Sequence, residues 1–197
     1  MSLSHRNYFN RIAPEWEGKM PAEPEFAGYL KRFGVASGDF VLDVGAGAGR
    51  MTRLLADAVG PDGCVVAQDI ALQMLIETRR IIRKPLPLVC DDVHALAYPD
   101  CMFDKVLCFS AFPHFMDQSM ALAEMTRVLK PGGGLLVLHN RSSADLNDFH
   151  ASLDGPVNRD RLPPAPELAS MMRKTGLRPI RVKEETRLYW VEAGKPR

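Results

Sequence analysis

The sequence of 197 residues lacks the features of several specialised protein classes. None of its apolar runs approaches the roughly 20 residues that cross a bilayer, and its first 16 residues contain no apolar segment typical of a signal peptide. The sequence also has no large excess of charge of one sign, because its 25 Lys and Arg residues are nearly balanced by 24 Asp and Glu residues. No global field therefore attracts nucleic acid or acidic membranes. We expect a cytoplasmic protein without membrane insertion.

Cysteine is scarce, and its spacing excludes common metal and redox motifs. The four cysteines form no CxxC pair. Cys64, Cys90 and Cys108 stand in apolar runs, where cysteine usually behaves as a small buried hydrophobe. The remaining composition, with 46% apolar and 25% charged residues, is that of an ordinary globular protein. A chain of this length forms a single domain that needs no disulfide or metal for stability.

Short apolar runs alternate with helical patterns. Strands are predicted at residues 40–44, 64–69, 87–90, 103–110, 134–139, 179–184 and 186–193, and helices at 8–17, 24–33, 51–59, 71–83, 117–129 and 168–175. Nearly continuous apolar strands separated by helices indicate an α/β fold, with a mostly parallel sheet and helices on both faces. Only one residue separates the last two predicted strands, which must therefore form an antiparallel edge hairpin.

The single domain, residues 1–197, divides into four segments. Residues 36–140 form the core, and residues 166–197 form a C-terminal helix and hairpin. Residues 1–35 are expected to be a helical lid over the ligand site; for residues 5–18 the alternative is a helix packed on the outside of the sheet. Residues 141–165 are longer than an ordinary connection, and long insertions tend to be functional. We place this insertion over the carboxyl ends of the strands, where open α/β sheets bind ligands.

The strongest motif is VLDVGAGAGR at residues 41–50. Its three glycines lie between a strand and a helix, where glycine permits a tight turn and a close approach of ligand to backbone. The GxGxG spacing differs from the GxGxxG of dinucleotide sites. Asp43, two residues before the first glycine, would repel a pyrophosphate but suits a ligand that carries an ammonium group. A plain glycine-rich turn is the structural alternative.

From residue 38 to residue 140 the sequence resembles the class I S-adenosylmethionine-dependent methyltransferases, of the methyltransferase domain 11 type. Four stretches carry the resemblance in order: VLDVGAGAGR (41–50), AQDIALQML (67–75), DDVHALAYPDCMFDKVLC (91–108) and MTRVLKPGGGLLVLH (125–139). The resemblance implies a doubly wound, seven-stranded sheet of order 3-2-1-4-5-7-6. It also implies S-adenosyl-L-methionine as the cofactor and methyl transfer to a small-molecule acceptor as the reaction.

The resemblance implies a set of cofactor-binding residues in the loops at one end of the sheet. They are Asp43, Gly45, Ala46, Gly47 and Gly49; Asp69, Ile70 and Met74; Asp92 and Val93; Phe109 and Ser110; and Tyr8 from the lid, with Phe9 as the alternative to Tyr8. Asp69 would accept hydrogen bonds from two ribose hydroxyls.

The remaining members of this set have separate roles. Ile70 and Met74 would contact the adenine, unless they only fill the core. Asp92 and Val93 would meet the adenine edge, with Asp91 as the competing register. Phe109 and Ser110 would flank the methionine portion, and Asp104 would form a structural hydrogen bond near strand four.

Histidines supply the candidates for acid–base chemistry. Methyl transfer from a sulfonium needs positioning above all, so a base is required only if the acceptor loses a proton. His114 is the first candidate and His139 the second, with His150 and Asp117 near them. The histidines lack a close ligand spacing such as HxxxH, and no metal is predicted.

Two alternatives stay open, a non-catalytic module that binds an adenosyl ligand and a nicotinamide-dependent oxidoreductase. Basic clusters at 77–85 and 173–197 contain no recognisable RNA-binding module, so we expect solvated surfaces and no nucleic-acid partner. The sequence leaves the choice between monomer and homodimer open.

Overall fold

The computed structural model describes residues 3–16, 25–82 and 84–197, so the ends of two predicted helices, residues 17 and 24, lie outside the described residues. The strands form one seven-stranded sheet of order β3-β2-β1-β4-β5-β7-β6. They are β1 (Phe40–Val44), β2 (Cys64–Asp69), β3 (Leu88–Cys90), β4 (Phe103–Phe109), β5 (Leu129–His139), β6 (Arg178–Glu185) and β7 (Leu188–Gly194). β1 to β5 pair in parallel, whereas β7 is antiparallel to both β5 and β6. The predicted order and the antiparallel edge are confirmed.

Helices cover both faces of the sheet. They are α1 (Leu3–Trp16), α2 (Phe26–Phe33), α3 (Arg50–Val59), α4 (Leu72–Ile81), α5 (Gln118–Val128), α6 (Ser143–Ala151) and α7 (Ala165–Lys174). One apolar core holds residues of α5 and α7, and a second holds residues of α2, α3 and α4. Successive residues of a strand point to opposite faces. In β4, accordingly, Val106 packs in the first core and Leu107 in the second.

The largest differences from the predicted strand boundaries lie at β5 and at the edge hairpin. β5 begins at Leu129, five residues before the predicted start at residue 134, so Pro131 and the two glycines after it lie inside this strand. Gly132 N donates to Lys195 O and Lys195 N donates to Gly133 O, so pairing with the C-terminal segment extends the strand. The edge hairpin has two turn residues, because β6 ends at Glu185 and β7 begins at Leu188.

The insertion contains structure that the apolar pattern did not reveal. Ser142 caps α6 by accepting a hydrogen bond from Asp145 N. A 3₁₀ turn, Pro156–Arg159, follows. The only buried residues of α6 are Ser143 and His150, so no apolar stripe marks this helix in the sequence.

Within the described residues, no helix is long and apolar enough to cross a membrane. The expected burial of cysteine is confirmed for Cys108, whereas Cys64 is half-buried. It is wrong for Cys90, which is exposed at the end of a three-residue edge strand.

Candidate functional site

A cavity opens at the carboxyl ends of β1, β2 and β4, which are neighbours in the sheet. Its volume is about 70 Å³. The lining residues are Phe9, Trp16, Asp43, Gly45, Ala46, Gly47, Ala48, Arg50, Met51, Asp69, Met74, Phe109, Ser110, Ala111 and His114. The structure therefore brings together the glycine loop, the ends of β2 and β4, and α1.

The glycine loop has the backbone conformation that its sequence predicts. Gly45, Gly47 and Gly49 all have positive φ, at 67°, 56° and 85°. A Cβ at Gly45 would collide with the Cβ of Ala111, and one at Gly49 would lie 2.7 Å from Thr78 Cγ2. Thr78 Oγ1 also donates to Gly47 O at 2.8 Å. The loop is thus held against α4 and the end of β4.

Asp43 brings a buried carboxyl group to the cavity. It is 1% exposed, and its Oδ2 accepts a hydrogen bond from Thr52 Oγ1 at 2.6 Å. Burial raises the pKa of Asp43 to about 7, with a smaller contribution from nearby Asp69, although the bond from Thr52 acts in the opposite direction. The site consequently favours any ligand that brings positive charge to Asp43.

Arg50 was missed as a site residue, although it ends the glycine motif. It lines the same cavity as Asp43, and its guanidinium lies 5.0 Å from the centroid of the Phe26 ring. The cavity wall therefore carries both a carboxyl group and a guanidinium. Its position directly after Gly49, the last glycine of the motif, is the sequence feature that could have identified Arg50.

Asp69 braces the loop from the end of β2. Its Oδ2 accepts from Gly47 N at 2.9 Å and its Oδ1 from Ala71 N at 2.8 Å. Burial raises the pKa of Asp69 despite these bonds. Each carboxylate oxygen has two acceptor sites, so each retains capacity for a further hydrogen bond toward the cavity.

A second crevice adjoins the first and shares Gly45 with it. Ile70, Asp92, Val93 and Phe115 also line it, together with Gln68. Asp92, rather than Asp91, thus faces this crevice. Its Oδ1 pairs with His94 Nδ1 at 2.6 Å. Of the predicted adenine contacts, Met74 lies on the first cavity and Ile70 on this crevice.

Gln68 is a connecting residue that the sequence reasoning missed. Its Nε2 donates to Asp91 O at 2.8 Å, and its Oε1 accepts from Gly45 N at 3.3 Å. The side chain thereby joins the glycine loop to the chain after β3.

The remaining predicted residues lie at the two ends of β4. Phe109 and Ser110 line the cavity where β4 ends, and Ser110 has a positive φ of 53°. Asp104, at the other end of β4, accepts from Phe40 N and Lys130 Nζ. Its predicted structural hydrogen bonds are confirmed.

The N-terminal helix α1 packs against α4 and contributes to the wall of the cavity. Phe9 and Trp16 line the cavity, whereas Tyr8 is absent from its lining and lies beside Gly155 of the insertion. Phe9 packs with Met74 and Val157 in a third apolar cluster. Between the two aromatic residues considered, the structure therefore places Phe9 on the cavity.

His114 lies in the 3₁₀ turn Phe112–His114 that follows β4. Its ring lines the cavity, 4.9 Å from the Phe9 ring. Its Nδ1 is 2.6 Å from Asp160 Oδ2. Asp160 belongs to the insertion, and no local pattern marked it as a partner of His114.

The other candidates occupy different surroundings. His139 is 2% exposed, does not line the cavity, and has its pKa lowered to about 3 by burial and by the neighbouring His114 and His150. Asp117 caps α5 by accepting from Met120 N. Within the described residues, no group of three or more His, Cys, Asp or Glu side chains is arranged to hold a metal ion.

The central part of the sequence is similar to known methyltransferases. Residues 42–137 match the family model described as a methyltransferase domain. The ubiquinone/menaquinone biosynthesis C-methyltransferase UbiE of Hahella chejuensis is 38% identical over 114 residues, which are 55% of this chain and 46% of that protein. The chain thus matches about half the length of that relative.

Solved structures share nearly the whole fold. A SAM-dependent methyltransferase from Aquifex aeolicus superposes with a TM-score of 0.72 and 22% identity, covering 95% of this chain and 97% of the other. Haemonchus contortus phosphoethanolamine N-methyltransferase 2, in complex with phosphomonomethylethanolamine and S-adenosylhomocysteine, has a TM-score of 0.79 and 18% identity, covering 100% and 61%. Residues 42–137 therefore belong to the methyltransferase domain family, and the chain as a whole has the fold of the SAM-dependent methyltransferase from Aquifex aeolicus.

Proposed function

We propose that the protein transfers a methyl group from S-adenosyl-L-methionine to a small-molecule acceptor. One observation carries the proposal: Asp43, Arg50 and Asp69 line one cavity beside the glycine loop. Relatives named C-methyltransferases support the reaction class. Their aligned part covers less than half of their length, so it supports the cofactor domain rather than a particular acceptor.

The residues on the cavity fit this cofactor. Its amino-acid portion carries an ammonium and a carboxylate, and the cavity offers the Asp43 carboxyl group and the Arg50 guanidinium. Asp69 would accept the ribose hydroxyls with its remaining acceptor sites. A Cβ at Gly47 would meet, among the described residues, only Trp16 Nε1 at 3.8 Å, so the backbone there is open to a ligand.

When bound, the cofactor supplies an electrophilic methyl group on a sulfonium, which leaves its bonding electron pair on sulfur when the acceptor attacks in line. The chain's own part is to orient the acceptor, exclude water and hold a proton where one is released. His114 is suited to the last task, because its ring reaches the cavity. His139 is buried away from the cavity lining, and we assign it no proton transfer.

The acceptor would arrive by an open groove of about 1190 Å³ beside the cofactor cavity. His5, Asp117 and Asp160 are among the residues along it. The hydrogen-bonded pair of His114 and Asp160 joins the two spaces, since His114 lines the cavity and Asp160 lines the groove. We therefore expect His114 to lie between a bound cofactor and an entering acceptor.

Helix α1 would act as the lid that residues 1–35 were expected to form. A cavity of about 70 Å³ is much smaller than the roughly 300–1,000 Å³ of ordinary ligand sites. Phe9 and Trp16 occupy its outer wall. Cofactor entry thus requires α1 to move outward and then to close again.

Calorimetry tests the cofactor, with S-adenosylmethionine, S-adenosylhomocysteine and NAD titrated separately into the chain. We expect both adenosyl ligands to bind and NAD not to bind. Asp69→Asn should weaken both adenosyl ligands, whereas Asp57→Asn, which removes an exposed carboxylate from α3, serves as the matched control. Binding of NAD alone would contradict the proposal.

Formation of S-adenosylhomocysteine then tests transfer across small hydroquinones, phenols, amines and thiols. A quinol belongs in this panel because of the relatives' names. We expect turnover with at least one acceptor class, and loss of that turnover in Asp43→Asn. Adenosyl binding without turnover across the panel would instead favour a module that only binds the ligand.

A further inference from the structure

The carboxylate of Asp160 joins two histidines from distant parts of the chain. His114 Nδ1 lies 2.6 Å from Asp160 Oδ2, and His5 Nε2 lies 2.9 Å from Asp160 Oδ1. Asp160 is 8% exposed, and His5 is also buried. His5 belongs to α1, His114 to the turn after β4, and Asp160 to the insertion. One buried side chain therefore connects the lid, the candidate proton acceptor and the insertion.

Protonation of this cluster follows from its donors and acceptors. Burial alone would raise the pKa of Asp160, but the bonds with His114 and His5 lower it to about 2. An ionised carboxylate only accepts hydrogen bonds, so each histidine must present an N–H. His5 then carries its proton on Nε2, and His114 carries its proton on Nδ1.

The second nitrogen of His114 is thereby left without a proton when the ring is neutral. Among the described residues, the structure shows no hydrogen bond to His114 Nε2. Asp160, which holds the Nδ1 side of the ring, is not part of the cavity lining, whereas His114 is. Because Asp160 occupies Nδ1, Nε2 is the ring nitrogen that is left available to a molecule in the cavity.

We propose that Asp160 is a positioning residue with two tasks: it holds His114 with Nε2 available as a proton acceptor, and it fastens α1 through His5. The proposal rests on the proposed function, because it assigns the tautomer of His114, the residue that would take up the proton released by the methylated substrate. It goes further in linking that tautomer to the lid, since both hydrogen bonds end on the same carboxylate.

The two tasks depend on each other through geometry. When α1 moves outward, His5 leaves Asp160 and the carboxylate loses one of its two donors. When α1 closes, the paired bonds set the carboxylate in one orientation. His114 is consequently ordered for proton transfer in the closed form, when water is excluded from the cavity.

Nitrogen-15 NMR of the histidine rings in the ligand-free full chain tests the first task. We expect wild-type His114 at pH 8 to be the Nδ1–H tautomer, and Asp160→Asn to show a substantial fraction of the Nε2–H tautomer. Asp154→Asn removes an exposed carboxylate from the same insertion and should leave the tautomer unchanged. A wild-type Nε2–H tautomer, or no change in Asp160→Asn, would overturn the assignment.

Stopped-flow fluorescence of Trp16, which lines the cavity, tests the second task with S-adenosylhomocysteine as the probe. Release requires the His5–Asp160 bond to break, so His5→Phe should speed dissociation roughly tenfold to hundredfold. Asp154→Asn should again match the wild type. Unchanged dissociation in His5→Phe would refute the fastening of α1.

The two measurements also separate this inference from the proposed function. If the wild type failed to bind S-adenosylhomocysteine, the proposed function would fail, yet the NMR experiment would still decide the tautomer. If binding occurred and the tautomer were insensitive to Asp160, only the positioning role would fail.

Discussion

Asp43 and Thr52 form a 2.6 Å hydrogen bond between two buried side chains, one on β1 and the other in the first turns of α3. The bond fixes the carboxyl group on the cavity side of the glycine loop. The Thr52 hydroxyl donates this bond and offsets part of the cost of burying the Asp43 charge. Asp43 therefore destabilises the ligand-free protein when ionised and stabilises a complex with a cationic group.

The first prediction concerns Asp43→Asn. Loss of the carboxylate should weaken S-adenosylhomocysteine by roughly tenfold to hundredfold, as expected for a hydrogen bond with a charged group. Calorimetry at pH 8 measures this change, with Asp57→Asn as the control on the exposed side of α3. Equal affinity in wild type and Asp43→Asn would exclude Asp43 from ligand binding.

Asp43→Asn should weaken ligand binding but raise the thermal stability of the ligand-free protein. Because the pKa of Asp43 is raised from 3.8 to about 7 in the folded state, the folded protein binds more protons than the unfolded chain between these values. Stability conferred by the protonated carboxyl is therefore lost as pH rises from about 4 to about 7. Ligand-free Asp43→Asn should melt a few degrees above the wild type at pH 8, with little difference at pH 4.

The second prediction compares two glycine substitutions. Gly45→Ala introduces a side chain at positive φ and against Ala111, so it should lower the free energy of unfolding by roughly 2–4 kcal/mol. Gly28, inside α2, has open space around its missing Cβ and no positive φ. Gly28→Ala should instead stabilise by roughly 0.5–1 kcal/mol. Urea unfolding of both variants measures the difference; similar losses would contradict the steric argument.

Local patterns carried the prediction of the sheet and the glycine loop. The strand at Phe40–Val44 is apolar apart from Asp43 and is followed by glycines, and the structure places both as expected. Asp160 could not be found in this way, because its partners His114 and His5 are 46 and 155 residues away. Tertiary packing of the insertion alone brings these groups together.

Neighbouring positions show the same limit on a smaller scale. Composition could not decide between Tyr8 and Phe9, since adjacent residues of a helix point about 100° apart. Only the packing of α1 against α4 and the Pro156–Arg159 turn places Phe9 at the cavity. The start of β5 was missed for a related reason, because its first residues pair with the C-terminal segment rather than follow an apolar pattern.

The third prediction uses that pair of aromatic residues. Phe9→Ala removes a ring from the cavity wall and should weaken S-adenosylhomocysteine about tenfold, the value of burying one aromatic side chain. Tyr8→Ala removes a ring that lies beside Gly155, and its effect on affinity should be clearly smaller. Calorimetry of both variants tests the order. A larger effect from Tyr8→Ala would assign the lid contact to Tyr8 instead.

The fourth prediction concerns His139, a buried histidine at the end of β5. Its pKa is lowered to about 3 by burial and by the neighbouring histidines, whereas the unfolded chain takes up this proton near pH 6.5. The unfolded state therefore binds more protons between these values, and stability falls as pH drops through this range. His139→Leu removes the titrating group together with Nε2, which is buried without a hydrogen-bond partner.

We expect His139→Leu to lose less stability than the wild type between pH 7.5 and pH 5, as measured by thermal melting across this range. The difference at pH 7.5 should be small, because the histidine is neutral there in both states. Turnover should also persist with whichever acceptor the panel identifies, since His139 does not line the cavity. Loss of turnover in a folded His139→Leu, with adenosyl binding intact, would return His139 to the catalytic residues and remove His114 from its assigned role as the sole proton acceptor.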